Sequence, residues 1–146
     1  MSALAAASVM AVTVSARANL LVNGSFETLN TTVAPMNASG FSILDAGSNA
    51  LAGWQVSGNS VDVVSNTLWQ STDGVNSIDL IGSPGTGALT QIVATNPGGI
   101  YHLSFDFACN PSPGETALPK DLFVTAVDQS SHMLNSLNYT NITNGR

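Results

Sequence analysis

From Tyr101 to Cys109 the chain alternates without a break. Tyr101, Leu103, Phe105, Phe107 and Cys109 fall on one side, and His102, Ser104 and Asp106 on the other. A period of two marks a β-strand with one buried face, so the odd-numbered side is expected in the core. DLFVTAV repeats the pattern, with Leu122, Val124 and Ala126 opposed to Phe123, Thr125 and Val127, and predicts a strand partly covered on both faces. SVDVV, SIDLI and ALTQIVAT supply three more strands, and a weaker one is expected from Phe41 to Leu44 within the otherwise aperiodic region Thr28 to Ala52. After the first 18 residues no window sustains the spacing of an amphipathic helix. GSPGTG, NPGG and NPSPGE punctuate the strands with residues that favour turns. This rhythm of short strands and turns predicts an all-β chain, and specifically a β-sandwich. The tail SLNYTNITNGR is polar and predicts no closing apolar strand.

Residues 1 to 18 stand apart. An apolar run from Leu4 to Val14 leads into Ala16-Arg17-Ala18, the small-x-small pattern of a signal-peptide cleavage site. The run is shorter than the roughly 20 apolar residues that span a bilayer, so the segment reads as a secretory leader and residues 19 to 146 as the mature domain. Charge narrows the partners. Only 8% of residues are charged, and the net charge of -6 arises from three Lys plus Arg against nine Asp plus Glu. Clustered bases that would displace counterions from nucleic acid are missing, as is the basic face of a membrane-surface helix. Cys109 is the single cysteine, which rules out an internal disulfide and suits a small buried hydrophobe.

In so charge-poor a chain, Glu27 in NLLVNGSFE stands out as the first carboxylate, with none following until Asp45. Trp54 in GWQV and Trp69 in LWQS are the only tryptophans, and their flat faces suit the C–H face of a pyranose. Trp54 begins a strand, where core filling is the first reading, while Trp69 precedes the turn STDG and suits either role. Gln70, Asp73 and Asn76 surround that turn, placed either to hydrogen-bond sugar hydroxyls or simply to face water. GSPGTG lacks the Lys and the hydroxyl residue of a phosphate cradle and is expected to be a hairpin loop. His102 and Asp106 share a strand face, yet four residues of strand separate them by roughly 13 Å, too far for a general-base dyad. With no paired acid and nucleophile, a non-enzymatic protein is expected. Asn23-Gly24-Ser25, Asn37-Ala38-Ser39 and Asn141-Ile142-Thr143 match glycosylation sequons, which matter in a eukaryotic secretory host.

NLLVNGSFE, GWQVSGNSVDVV, LWQSTDGVNSIDLIG, GALTQIVAT and YHLSFDFACNP, in that order, resemble the bacterial choice-of-anchor C family. That family is in turn similar to the plant cell-wall proteins filed as domain of unknown function 642. The resemblance runs from about Asn19 to about Val127. It implies a galactose-binding-like jelly roll, secretion, and contact with or attachment to cell-surface polysaccharide. Members close with further strands and an acidic motif of the LDNV type, so the chain is expected to be a fragment without its C-terminal strands and marginally stable alone. At the position of Cys109 bacterial members usually have glycine, whereas plant members carry a cysteine in the comparable strand. In similar jelly-roll modules a carboxylate of the NGSFE-type segment and nearby carbonyls hold a structural calcium, an ion suited to hard oxygen donors. Glu27 is therefore either a calcium ligand or a solvated strand end. The expected function is a secreted, non-catalytic module that binds cell-wall or extracellular polysaccharide through Trp69, Gln70, Asp73, Asn76 and Trp54. The alternative is a structural surface or matrix protein with no specific glycan.

Overall fold

In the computed structural model the described residues are 19–30, 36–111 and 120–142, and they form strands without any helix. The expected leader, residues 1–18, lies outside them, as do most of NPSPGE and the end of the third sequon. Seven strands follow in order: β1 (Phe41–Asp45), β2 (Gln55–Gly58), β3 (Ser60–Ser65), β4 (Asn76–Asp79), β5 (Gly87–Thr90), β6 (Lys120–Val127) and β7 (Met133–Ile142). All pairings are antiparallel: a three-stranded sheet in the order β1-β3-β4, and the pairs β2-β5 and β6-β7.

The central strand β3 explains the packing. Val61, Val63 and Val64 are at most 1% exposed, and Ser60 before them and Asp62 among them are buried as well, so both faces of β3 are covered. The register sets Val61 beside Leu44 and places Val63 between Ser42 and Ile78. In the second sheet Val56 pairs with Leu89. Leu44, Ala50, Leu51, Val56, Val61 and Val63 form the core, with Trp54, Phe26, Ile78 and Leu89 packed against it. Burying each such aliphatic side chain contributes roughly 1.5–3 kcal/mol, which makes this joint between the two sheets the main source of stability.

GSPGTG is not the expected hairpin loop, because β4 and β5, which it joins, belong to different sheets. Its backbone runs against the start of β3: the amides of Asn59 and Ser60 donate to the carbonyls of Thr86 and Gly85 at 3.0 and 3.3 Å. A Cβ on Gly82 would lie 2.7 Å from the Ser60 carbonyl oxygen, and one on Gly87 2.8 Å from Val61 Cγ1, so this approach requires glycine. Ser83, in the same loop, donates from its backbone N–H and its hydroxyl to the carboxylate of Asp62, at 3.1 and 3.2 Å. Those two bonds compensate a carboxylate only 6% exposed in the middle of β3.

Three further expectations change. SIDLI and ALTQIVAT shorten to β4 and β5. Gln91 leaves the ladder because its side-chain amide pairs with the backbone of Val22, accepting from N at 2.7 Å and donating to O at 2.9 Å. The polar tail forms the ten-residue strand β7 against β6, since Tyr139 and Leu137 stand opposite Leu122 and Val124. In β6 the side with Leu122 and Val124 is half-covered while Phe123 is 64% exposed, so one face rather than both is sheltered. The turn between these strands is fixed by Asp128, whose carboxylate accepts from the amides of Ser130 and His132 and from the His132 ring. The His132 amide, above all, holds this carboxyl below the usual aspartate range.

The clearest predicted strand, YHLSFDFAC, is not paired. Residues 101–108 are all exposed and only Cys109, which is in no disulfide, is buried. Alternation reports which side chains share a face, whereas a strand also needs a neighbour for its backbone, and none of the described residues provides one here. Phe105 and Phe107 instead reach Tyr139 of β7, with ring centroids 5.9 and 4.7 Å away.

Candidate functional site

The segment NGSFE acts as a clasp. Asn23 adopts φ 53°, a left-handed conformation that asparagine tolerates. Its side-chain Nδ2 donates to the carbonyls of Thr28 and Ala52, both at 3.0 Å, and its Oδ1 accepts from the Thr28 amide at 2.9 Å. The backbone carbonyl of Asn23 receives the Phe26 amide at 3.1 Å and the indole N–H of Trp54 at 3.0 Å. Phe26 itself holds a positive φ of 65°, unfavourable for an aromatic residue, and its ring lies 5.6 Å from that of Trp54. Beyond the clasp the chain pairs briefly with the turn before Trp54, through Asn30 N to Ala50 O and Ala52 N to Thr28 O. Trp54 is thus half-buried, hydrogen-bonded and packed on the core, an environment that suits a structural ring better than a sugar platform.

Glu27 reaches from the clasp to the loop between β3 and β4. Its Oε1 accepts the amides of Val75 and Asn76, both at 2.9 Å, while Asn76 Nδ2 returns a bond to the Phe26 carbonyl at 3.2 Å. Gly74, at φ 68°, lets this approach happen, because a Cβ there would collide with the Glu27 carboxylate. The loop closes on itself as well. Asn66 N donates to Val75 O at 2.8 Å, Trp69 N to Ser65 O at 3.1 Å, and the Ser71 hydroxyl to Gly74 O at 2.8 Å.

Most of the oxygens around Glu27 are already hydrogen-bonded within the protein, which lowers their fit for a calcium ion. Oε1 already carries two amides, and the carbonyls of Asn23, Phe26, Thr28 and Ala52 all accept protein donors. Among the described residues no group of three or more metal-ligating side chains forms. Nor is Glu27 the alternative, a merely solvated strand end. Glu27→Ala is expected to cost about 2 kcal/mol by leaving two loop amides without their acceptor, and Glu27→Gln less than about 1, since the amide oxygen still accepts. Thermal melts check this. Identical melting in excess calcium and in chelator is expected of the unaltered chain, and a calcium-dependent rise would restore the metal.

The five candidate glycan contacts divide. Trp69, Gln70 and Asp73 ride on the clamped loop, Trp69 half-buried and the other two exposed. Asn76 is only 9% exposed and serves the clasp, and Trp54 belongs to the core joint. Beside the loop lies an open depression of about 410 Å³, lined by Met36, Asn37, Ala38, Ser39, Gly40, Ser65, Thr67 and Leu68. None of these residues is charged; three hydroxyls and an amide accompany the three apolar side chains of Met36, Ala38 and Leu68. The depression escapes sequence reasoning because Asn37 and Thr67 meet only through the pairing of β1 with β3. The sequons differ too: the Asn23 nitrogen is engaged in two bonds, whereas Asn37 is exposed.

No helix among the described residues is long and apolar enough to cross a membrane. A stretch of 91 residues, 62% of this chain, is 36% identical to halomucin of Haloquadratum walsbyi, of whose length it covers 1%. No solved structure matches the chain significantly. Residues 19–144, nearly all of the sequence that follows the apolar first 18 residues, match the family described as Protein of unknown function (DUF642), and the chain belongs to that family.

Proposed function

We propose that the chain is a secreted, non-catalytic module that binds an uncharged cell-wall or extracellular polysaccharide. The carrying observation is the pairing of the clamped loop bearing Trp69 with a depression whose lining holds hydroxyl, amide and apolar groups and no charge. A pyranose presents hydroxyls at its rim and a C–H face, and this surface offers partners for both. Gln70 and Asp73 add exposed hydrogen-bonding groups on the same loop. The finer family reading, the choice-of-anchor C branch on a galactose-binding-like jelly roll, agrees with antiparallel sheets sharing one core. The leader and the similarity to halomucin support an extracellular setting. A structural matrix role without a specific glycan is the second reading, favoured by the exposed apolar side chains from Tyr101 to Phe107.

Pull-down on insoluble polysaccharides at low salt tests the proposal. Trp69→Ala is expected to weaken binding about tenfold, the loss of one stacked ring, while melting stays unchanged. If no polysaccharide retains the unaltered chain, the matrix role takes its place.

A further inference from the structure

Residues Tyr101 to Ala108 make no backbone hydrogen bond to any described residue, and every one of them is exposed. Eight consecutive residues whose side chains alternate in the sequence, and whose backbone is unbonded among the described residues, have what a strand needs to accept a partner along its edge. Their order suggests the partner's chemistry. YHLSFDF is nearly its own mirror about Ser104: aromatic residues stand at both ends, apolar Leu103 and Phe105 flank the centre, and His102 and Asp106 occupy equivalent places on the other side. We propose that this segment pairs antiparallel with the same segment of a second copy, about a two-fold axis through Ser104.

In that register Tyr101 faces Phe107 of the second copy, Leu103 faces Phe105, and His102 faces Asp106. Two-fold symmetry repeats each pair. The odd face then gains aromatic and aliphatic cross-strand neighbours, and the even face gains two imidazole–carboxylate pairs, each a stabilising combination across an antiparallel ladder. A register slipped by two residues would set Asp106 against Ser104 and leave His102 without its carboxylate, so the charges select the centred one. The contact is isologous and closes as a dimer. Tyr139 lies over Phe105 and Phe107 from one side and leaves Leu103 54% and Tyr101 46% exposed for the second copy. This inference is independent of glycan binding, since the depression beside Trp69 shares no residue with the segment.

Sedimentation of the 146-residue chain over a concentration series tests it. A reversible monomer–dimer equilibrium is expected. His102→Asp alone sets like charges opposite one another twice per dimer, and Asp106→His alone removes both carboxylates from their imidazoles. Each should weaken dimerisation about tenfold, and the two together should restore it, because the pair is merely exchanged. These side chains have no hydrogen-bond or ion-pair partner among the described residues, so the melt of each variant should match the parent. As a second readout, Ser104→Cys should cross-link into a covalent dimer on mild oxidation, since directly opposed residues lie roughly 4.5–5.5 Å apart between Cα atoms, within disulfide reach. Ser130→Cys, in the turn between β6 and β7, should not. A chain that stays monomeric at every concentration overturns the proposal. So does a double exchange as weak as either single change, or a dimer that Ser104→Cys fails to trap.

Discussion

Asn23→Ala is expected to lower stability by about 4 kcal/mol. Three side-chain hydrogen bonds, to the Thr28 and Ala52 carbonyls and from the Thr28 amide, are lost at about 1 kcal/mol each. Placing alanine at φ 53° adds about 1 more, since its Cβ disfavours the left-handed region. At about 3 °C per kcal/mol for a domain of this size, the melting temperature should fall by about 12 °C. Asn23→Gly separates the two contributions: glycine accepts the backbone angle without strain, so only the hydrogen-bond part, about 3 kcal/mol, should remain. Denaturant unfolding measures both. A loss under about 1 kcal/mol for either variant would mean that the clasp is ornamental to the fold.

Trp54→Ala should cost about 3 kcal/mol, the lower end for a large aromatic because the ring is only half-buried. It removes the contact with Phe26 and the packing on the core between the two sheets. Trp54→Phe keeps a ring but loses the bond from the indole N–H to the Asn23 carbonyl, and about 1 kcal/mol is expected. Because that carbonyl belongs to the residue whose side chain holds the loop, Asn23→Ala and Trp54→Ala should not add. The double variant is expected to lose less than the sum by about 1 kcal/mol. Strict additivity would show that ring and loop act separately.

Side-chain pattern and pairing were legible in the sequence to different degrees. SVDVV pointed to a strand, and β3 is one, buried on both faces, with the carboxylate of Asp62 tolerated because Ser83 reaches it from the loop that joins β4 to β5. YHLSFDFAC shows the limit, since its period is clear but a period carries no information about the backbone neighbour. The tail erred the other way. Polar composition hid β7, whose Leu137 and Tyr139 need only cover one face of β6. Glu27 was conspicuous because charge is scarce, which flagged a specific task without naming it. The partners are amides 48 and 49 residues away, and no local spacing points to them. The role of Asn23 had a readable trace, the Asn-Gly pair that favours a left-handed turn, although the bonds to Thr28 and Ala52 follow only from the folded loop.

The proposed glycan contact is the clamped β3–β4 loop, with Trp54 confined to the fold. The most direct measurement is the pair of indole N–H resonances during titration with a soluble oligosaccharide of the retained polysaccharide. The Trp69 signal is expected to move with saturating dependence, together with the amides of Thr67, Leu68 and Asn37, while the Trp54 signal stays in place. Movement centred on Trp54 and Asn23, or on β6 and β7 with Trp69 unmoved, would contradict it.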